Sequence, residues 1–411
     1  MFQKVLTFGV TLLFVSQLSL FSQSKACPDP LAVNYNVAAT ENDGSCTYIQ
    51  ASIGPSKTVV LDDVLKATSG LLLWQGSLLS HNDSDDNSLY VLDSTSGDVL
   101  VTFPINGIDP TDWESLTQDD FYFYFGDFGN NATGNRQDLK IYRIARNAIS
   151  ATNPVINTIE FSYEDQTDFS SPGVNNTDFD CEAMFVKGDS IYLVTKQWFS
   201  QKTSIYALPK APGTYQAKLK GSLDVNGMVT GVSYQADKNY LVLLGYSNTL
   251  QPFVYLLYDF EGNNFLSGNK RKLILSLSFA QTEGITKGSG LNFFVTQESF
   301  VNAPSIDIPP QLFTFNLDPY LGLFVNGQIT TSNDPLFAVE PTLYPNPFSS
   351  ELHVEVPVVR PGPPLYILDL NGREVFRKDI LQKTQLLDVS QLPKGPYVLH
   401  WGSYSRLLMK E

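Results

Sequence analysis

The chain has 411 residues, with 27 Lys and Arg against 42 Asp and Glu, a formal net charge of −15. Its 43% hydrophobic and 12% aromatic content supports a large core and excludes wholesale disorder. The acidity excludes nucleic acid as a partner, because phosphates call for clustered Lys and Arg. Three His and three Cys exclude a His-rich metal centre and a disulfide-dense scaffold, and the length predicts two or three domains.

At the N-terminus Lys4 precedes an apolar run from Val5 to Val15, and polar, small residues follow from Ser19 to Ser24. This order predicts an export signal over residues 1–24, cleaved near Ser22 or Ser24. No later window reaches the roughly 20 apolar residues of a membrane span. Lipidation of Cys27 is the alternative, against which Ser24-Lys25-Ala26 is a poor context. Export permits disulfides, and Cys27 and Cys46 bracket residues 25–50, a stretch that predicts a small bridged module. It resembles a short cysteine-bracketed module common in secreted bacterial proteins. Asn34, Asn36, Asn42 and Asp43 could supply hard oxygens to a calcium ion. With no full calcium-loop spacing, a disulfide-closed turn is the favoured reading. Cys181, flanked by apolar residues, is expected to be a buried free thiol.

Residues 55–330 show short β-rich runs separated by Gly, Asn, Asp and Pro, with almost no helical period. One unit recurs in them. Asp112-Trp113-Glu114 leads into Phe121 to Asp127, Asp180-Cys181-Glu182 into Ser190 to Thr195, and Thr282-Glu283-Gly284 into Leu291 to Thr296. Val229-Thr230-Gly231 begins another copy and Ser69-Gly70-Leu71 a fainter one. Aligning Ser69, Glu114, Glu182, Gly231 and Glu283 gives spacings of 45, 68, 49 and 52 residues, the long one holding a polar insertion from Gln166 to Asn176. Such a period predicts four-stranded propeller blades. Five are visible. A sixth could be closed by Thr58 to Leu61 meeting the last strands of the repeat region.

Residues 331–340 read as a linker, and residues 341–411 as a small β-sandwich. Its markers are Tyr344-Pro345-Asn346-Pro347, alternating strands at His353 to Val356 and Tyr366 to Leu370, a hairpin turn at Asn371-Gly372, and Leu392-Pro393-Lys394-Gly395 before Tyr397. This succession resembles the C-terminal sorting domain of the type IX secretion system. The resemblance implies that the type IX machinery is a partner, with later removal of the domain or attachment to a surface polysaccharide. Pro396 departs from the family pattern, so its strand should begin after it or lie at an edge. With 8 Lys and Arg against 7 Asp and Glu, residues 341–411 leave the acidity to the rest of the chain.

In a propeller the first strand of each blade lines the channel, so Glu114, Glu182 and Glu283 should converge and repel unless neutralised. Calcium would neutralise them, with Asp127 as a further ligand. The alternative is that these Glu bond backbone N–H groups of the next blade and lock the ring. The Asp-x-Glu blade starts, with His81-Asn82-Asp83-Ser84 and Gly126-Asp127-Phe128-Gly129-Asn130, resemble six-bladed propellers of the phytase-like esterase and SdiA-regulated type. Arg136 either clamps an anion or pairs with an acidic neighbour. Gly188-Asp189-Ser190 and Gly288-Ser289-Gly290 are hairpins rather than a hydrolase or phosphate motif, since His81 is the one His outside the sorting region and no helix follows. The expected fold is thus all-β, a propeller of five or six blades followed by a small sandwich. The expected function is an exported propeller that binds a ligand with calcium in its channel. Rival readings are a calcium-dependent phosphoesterase, which needs Lys and Arg beside the carboxylates, and a passive surface adhesin.

Overall fold

The computed structural model describes residues 24–83, 86–302, 306–327, 341–356, 365–369, 374–380, 382–401 and 404–411. The export signal up to residue 23, the linker and the Asn371-Gly372 turn lie outside them.

Five antiparallel blades follow one another. Their inner strands are Thr68–Trp74, Trp113–Gln118, Asp180–Lys187, Met228–Gln235 and Thr282–Lys287, each packed on the next and the last on the first. The ring therefore closes at five. Lys57–Val60 makes no sixth blade; it pairs antiparallel with Gln311–Asn316 and supplies the outer strand of the fifth. The sixth blade that the sequence left open is therefore not formed. The chain spends its N-terminal strand on completing the last blade instead.

Sequence explains why these strands read as continuous apolar runs. A second strand such as Tyr240–Tyr246 is wedged between two neighbouring blades, so both of its faces are buried. Tyr240, Val242 and Leu244 pack toward the fifth blade, and Leu241 and Leu243 toward the third. The core is five such wedges, each side chain contributing roughly 1.5–3 kcal/mol on burial. At the inner ring the backbones come too close for side chains. A Cβ on Gly231 would lie 2.5 Å from the Glu283 carbonyl, and one on Gly284 2.5 Å from Leu71 Cβ.

Edge strands are covered in two ways. The outer strands of blades two and three, Ile156–Tyr163 and Gly213–Asp224, pair in parallel with each other. The outer strand of blade four, Asn269–Leu275, takes Ala51–Ile53 as a parallel neighbour. That neighbour continues from the small module, where Cys27 and Cys46 form the expected disulfide. Within the module Asn34, Asn36 and Asp43 accept from backbone N–H groups, and Asn42 also bonds Asp259 and Asn269. Their oxygens serve turn geometry. Cys181 is free and fully buried.

The C-terminal region forms two sheets around one core, Thr342–Tyr344 with Glu351–Glu355 and Thr384–Asp388, and Glu374–Lys378 with Leu365–Leu368, Gly395–Trp401 and Tyr404–Lys410. Pro396 lies inside its strand rather than before it, opposite Met409. On its other side the strand pairs with Tyr366, Ile367 and Leu368 through His400, Leu399 and Val398 among the described residues. The motif residues are internal fastenings. Asn346 donates to the Leu407 carbonyl and accepts from Met409 N–H, Tyr344 stacks on His353, and Tyr397 donates to the Pro393 carbonyl. Both peptide bonds of Tyr344-Pro345 and Asn346-Pro347 are cis.

Candidate functional site

Each inner strand carries a register shift at the same mouth of the channel, between Thr68 and Leu71, at Glu114, at Glu182, at Thr230 and between Thr282 and Ile285. Such bulges release a side chain from the sheet alternation and re-aim it. The fourth blade's equivalent position is accordingly Thr230, one residue before the Gly231 taken from the sequence alignment.

Hydroxyls at and beside these bulges lock the blades together. Ser69 Oγ donates to the Glu114 carbonyl (2.8 Å), Thr230 Oγ1 to the Thr282 carbonyl, and Ser115 Oγ accepts from Met184 N–H. Ser69 Oγ also lies 3.3 Å from Glu114 Oε2, so that glutamate shares in the blade contact as well as facing the other acids. Glu114, Glu182 and Glu283 are brought into one electrostatic cluster with Asp83, Asp112, Asp180 and Glu298, seven carboxyls in all. Asp83 and Glu298 follow the ends of second strands, Asp112 precedes an inner strand and Asp180 begins one. Glu114, Asp180, Glu182 and Glu283 form a buried floor, and Asp83, Asp112 and Glu298 a half-buried rim.

A buried cation stands among them. Lys196, at the end of a second strand and buried, donates to Glu182 Oε1 at 3.0 Å. Burial alone would push its ammonium toward neutrality, but Glu182, Glu283 and Asp180 outweigh it and hold the charge. Its Nζ also lies 4.7 Å from the ring centre of Trp198 and 5.4 Å from that of Tyr246. Trp198 Nε1 and the Asn130 N–H both donate to Asp180, which is thus fully bound.

Lys196 does not offset the burial of the carboxyls around it, so protons remain on them. Burial, reinforced by Asp180 and Asp83, raises Asp112 to about 6, and it shares a hydrogen bond with Glu114. Burial, with Glu298 and Asp83, raises Glu283 to about 8 despite Lys196. Burial and Asp83 raise Glu298 to about 8, and burial also lifts Glu114 and Glu182 well above the ordinary range. Glu283 Oε2 is buried without a hydrogen-bond partner.

Asp127 does not join this cluster. It receives Arg136 Nη2 at 2.6 Å and the N–H groups of Thr111 and Asp112, while Arg136 also bonds Asp138 and the Gly129 carbonyl. Arg136 therefore has acidic partners of its own, and the pair fastens the loop that follows Asp127. Among the described residues no group of three or more His, Cys, Asp or Glu side chains is placed to hold a metal ion. Gly188 and Gly288 both fall in tight hairpins of their blades. At the opposite end of the channel the inner strands enclose a cavity of about 250 Å³, lined among others by Leu71, Leu116, Gln118, Tyr234 and Thr286.

Residues 342–410 match the family described as the secretion system C-terminal sorting domain. This module is a type IX sorting domain. The chain is consequently an exported protein, secreted or held at the cell surface, and the type IX machinery is its partner in export. Among the described residues no helix is long and apolar enough to cross a membrane. No curated protein matches the chain. Several solved structures resemble it. Glutaminyl cyclase of Myxococcus xanthus is 11% identical over 65% of this chain and 98% of its own, with a TM-score of 0.39. The PQQ-bound aldose sugar dehydrogenase of Streptomyces coelicolor is 10% identical over 63% and 98%, with a TM-score of 0.36. The WD40 repeats of RRP9 are 7% identical over 64% and 99%, also at 0.36. Nothing about activity carries over at such distances.

Proposed function

We propose that this exported propeller is a surface or secreted binding protein of a Gram-negative bacterium, and that its ligand presents a cationic group to the acidic mouth of the channel. The observation that carries this reading is the surplus of carboxyls around Lys196, with Glu283 Oε2 buried and unbonded. Desolvated carboxyls that hold protons only for want of positive charge gain most when a cation replaces those protons. Calcium is the inorganic form of such a guest; an ammonium or guanidinium group is the organic form. The aromatic faces of Trp198 and Tyr246, and the lack of a converging metal-ligand set among the described residues, favour the organic one. A phosphoesterase reading is disfavoured. A phosphate would face seven carboxyls and a lysine already paired with Glu182.

Calorimetric titration tests this. An arginine- or lysine-containing peptide amide should bind more tightly at pH 8.5 than at pH 6, because the carboxyls ionise over that interval. Its acetylated or citrulline counterpart should not bind. Calcium is titrated in parallel, and tight calcium binding abolished by Glu283→Gln would shift the assignment to the metal. Equal binding of charged and neutral peptides would overturn the proposal.

A further inference from the structure

A second site lies away from the channel, where the disulfide module meets the outer edge of blade four. The cleft there has a volume of about 630 Å³, within the range of ligand clefts, roughly 300–1,000 Å³. Lys270, Arg271 and Lys272 line it, against Asp224 as the one lining carboxylate. Three consecutive cations stand out in a chain of net charge −15. Among the described residues none of the three forms an ion pair. Lys270 Nζ donates to the carbonyls of Gly44, Leu266 and Gly268, and Lys272 Nζ to those of Val225 and Asn226, so their charge is hydrogen-bonded but not neutralised. Burial accordingly pulls both ammonium groups below their ordinary range. Arg271, buried, has its guanidinium between the rings of Tyr48 and Tyr320 at 4.7 and 4.8 Å, and its Nε and Nη1 have no hydrogen-bond partner.

Cations without an ion-pair partner, beside aromatic faces and uncharged polar side chains, suit a ligand that is both anionic and ring-shaped. Tyr48 and Tyr255 supply the faces, and Gln50, Asn226 and Gln251 the amides. We propose that this cleft binds the acidic groups of an anionic oligosaccharide, with Lys270, Arg271 and Lys272 as the charged contacts. The excess negative charge of the rest of the chain does not prevent this, since exposed charges beyond about 8–10 Å are largely screened at physiological salt. The acidic channel mouth plays no part in the assignment.

The test is calorimetric titration of the full mature chain with an oligogalacturonate, a heparin oligosaccharide and neutral maltohexaose. One or both acidic oligomers should bind in low salt, weaken as salt is raised, and lose about tenfold in affinity with Lys272→Gln. The oligogalacturonate and heparin arms separate carboxylate from sulfate as the recognised group. Because Lys272 also holds two loop carbonyls, Gln50→Glu on the exposed lip provides a second variant that leaves those bonds intact. It should weaken the same binding. Three outcomes would overturn the proposal: maltohexaose binding as well as the acidic oligomers, no acidic oligomer binding at millimolar concentration, or undiminished binding by both variants.

Discussion

Glu283→Gln should flatten the pH dependence of stability. In the native state Glu283 keeps its proton up to about pH 8, whereas an unfolded glutamic acid releases it near its ordinary value of 4.5. Between those limits the folded protein binds one more proton than the unfolded chain. Stability therefore falls as pH rises through the window, at about 1.4 kcal/mol per pH unit for each such group. Glu283 is 4% exposed, so solvent screening removes little of this. From pH 5.5 to pH 8 it alone costs on the order of 3 kcal/mol, a drop of roughly 6–12 °C in melting temperature for a domain of this size. Glu298 and Asp112, raised in the same direction, steepen the wild-type curve further. Thermal melts of wild type and Glu283→Gln at half-unit steps from pH 5 to pH 8.5 would measure the difference. The variant, which cannot ionise there, should lose about one proton's worth of slope. A wild-type melting temperature that does not fall over this range, or a variant of unchanged slope, would refute the reasoning.

Lys196→Met removes the ammonium paired with Glu182 and should cost about 3–5 kcal/mol at pH 8, where the buried Glu182 carboxyl must take up a proton or stand unpaired. At pH 5 protonation relieves most of that, so melts showing equal losses at both pH values would exclude the ion-pair account. Gly231→Ala forces a Cβ against the Glu283 carbonyl and should lower stability by roughly 1–3 kcal/mol, read as an earlier urea midpoint. Cys27→Ser opens a bridge between residues 19 apart and should cost about 3 kcal/mol. The loss should show in hydrogen exchange as faster opening of residues 24–50 while the blade cores keep their protection.

How much of this was readable in advance depended on where the signal lay. The sorting domain was legible because its motif positions are ones where few residues serve: Asn346 ties to Leu407 and Met409, Tyr344 stacks on His353, and Gly395 takes a φ of 145°. Blade repeats were legible because second strands such as Ser190–Lys196 are buried on both faces and read as apolar runs. The three glutamates stood out through equal placement in the repeat. Lys196, Asp83 and Glu298 did not, since they come from the ends of second strands and join the first-strand acids only across the ring. A register of polar residues at second-strand ends, Asp83, Asp127, Lys196 and Glu298, was the available signal. It would still have misplaced Asp127, whose side chain is captured by Arg136 from a loop that no repeat predicts. The blade count was ambiguous for a related reason: a four-residue strand near the N-terminus does not reveal its partner 250 residues away.

That closing strand bears on endurance outside the cell. Lys57–Val60 is held by Gln311–Asn316, so the beginning and end of the propeller are clasped by hydrogen bonds as well as joined through the chain between them. A protease that cuts a single exposed loop between blades would therefore leave one ring rather than two halves, because the fragments stay buckled at the fifth blade. The vulnerable stretch is the short passage from residue 61 to residue 67, ahead of the first inner strand. A cut there would uncouple the buckle from the belt, and much of that passage is secured by the buried Leu61 and Leu65 and by a one-turn helix capped by Asp62.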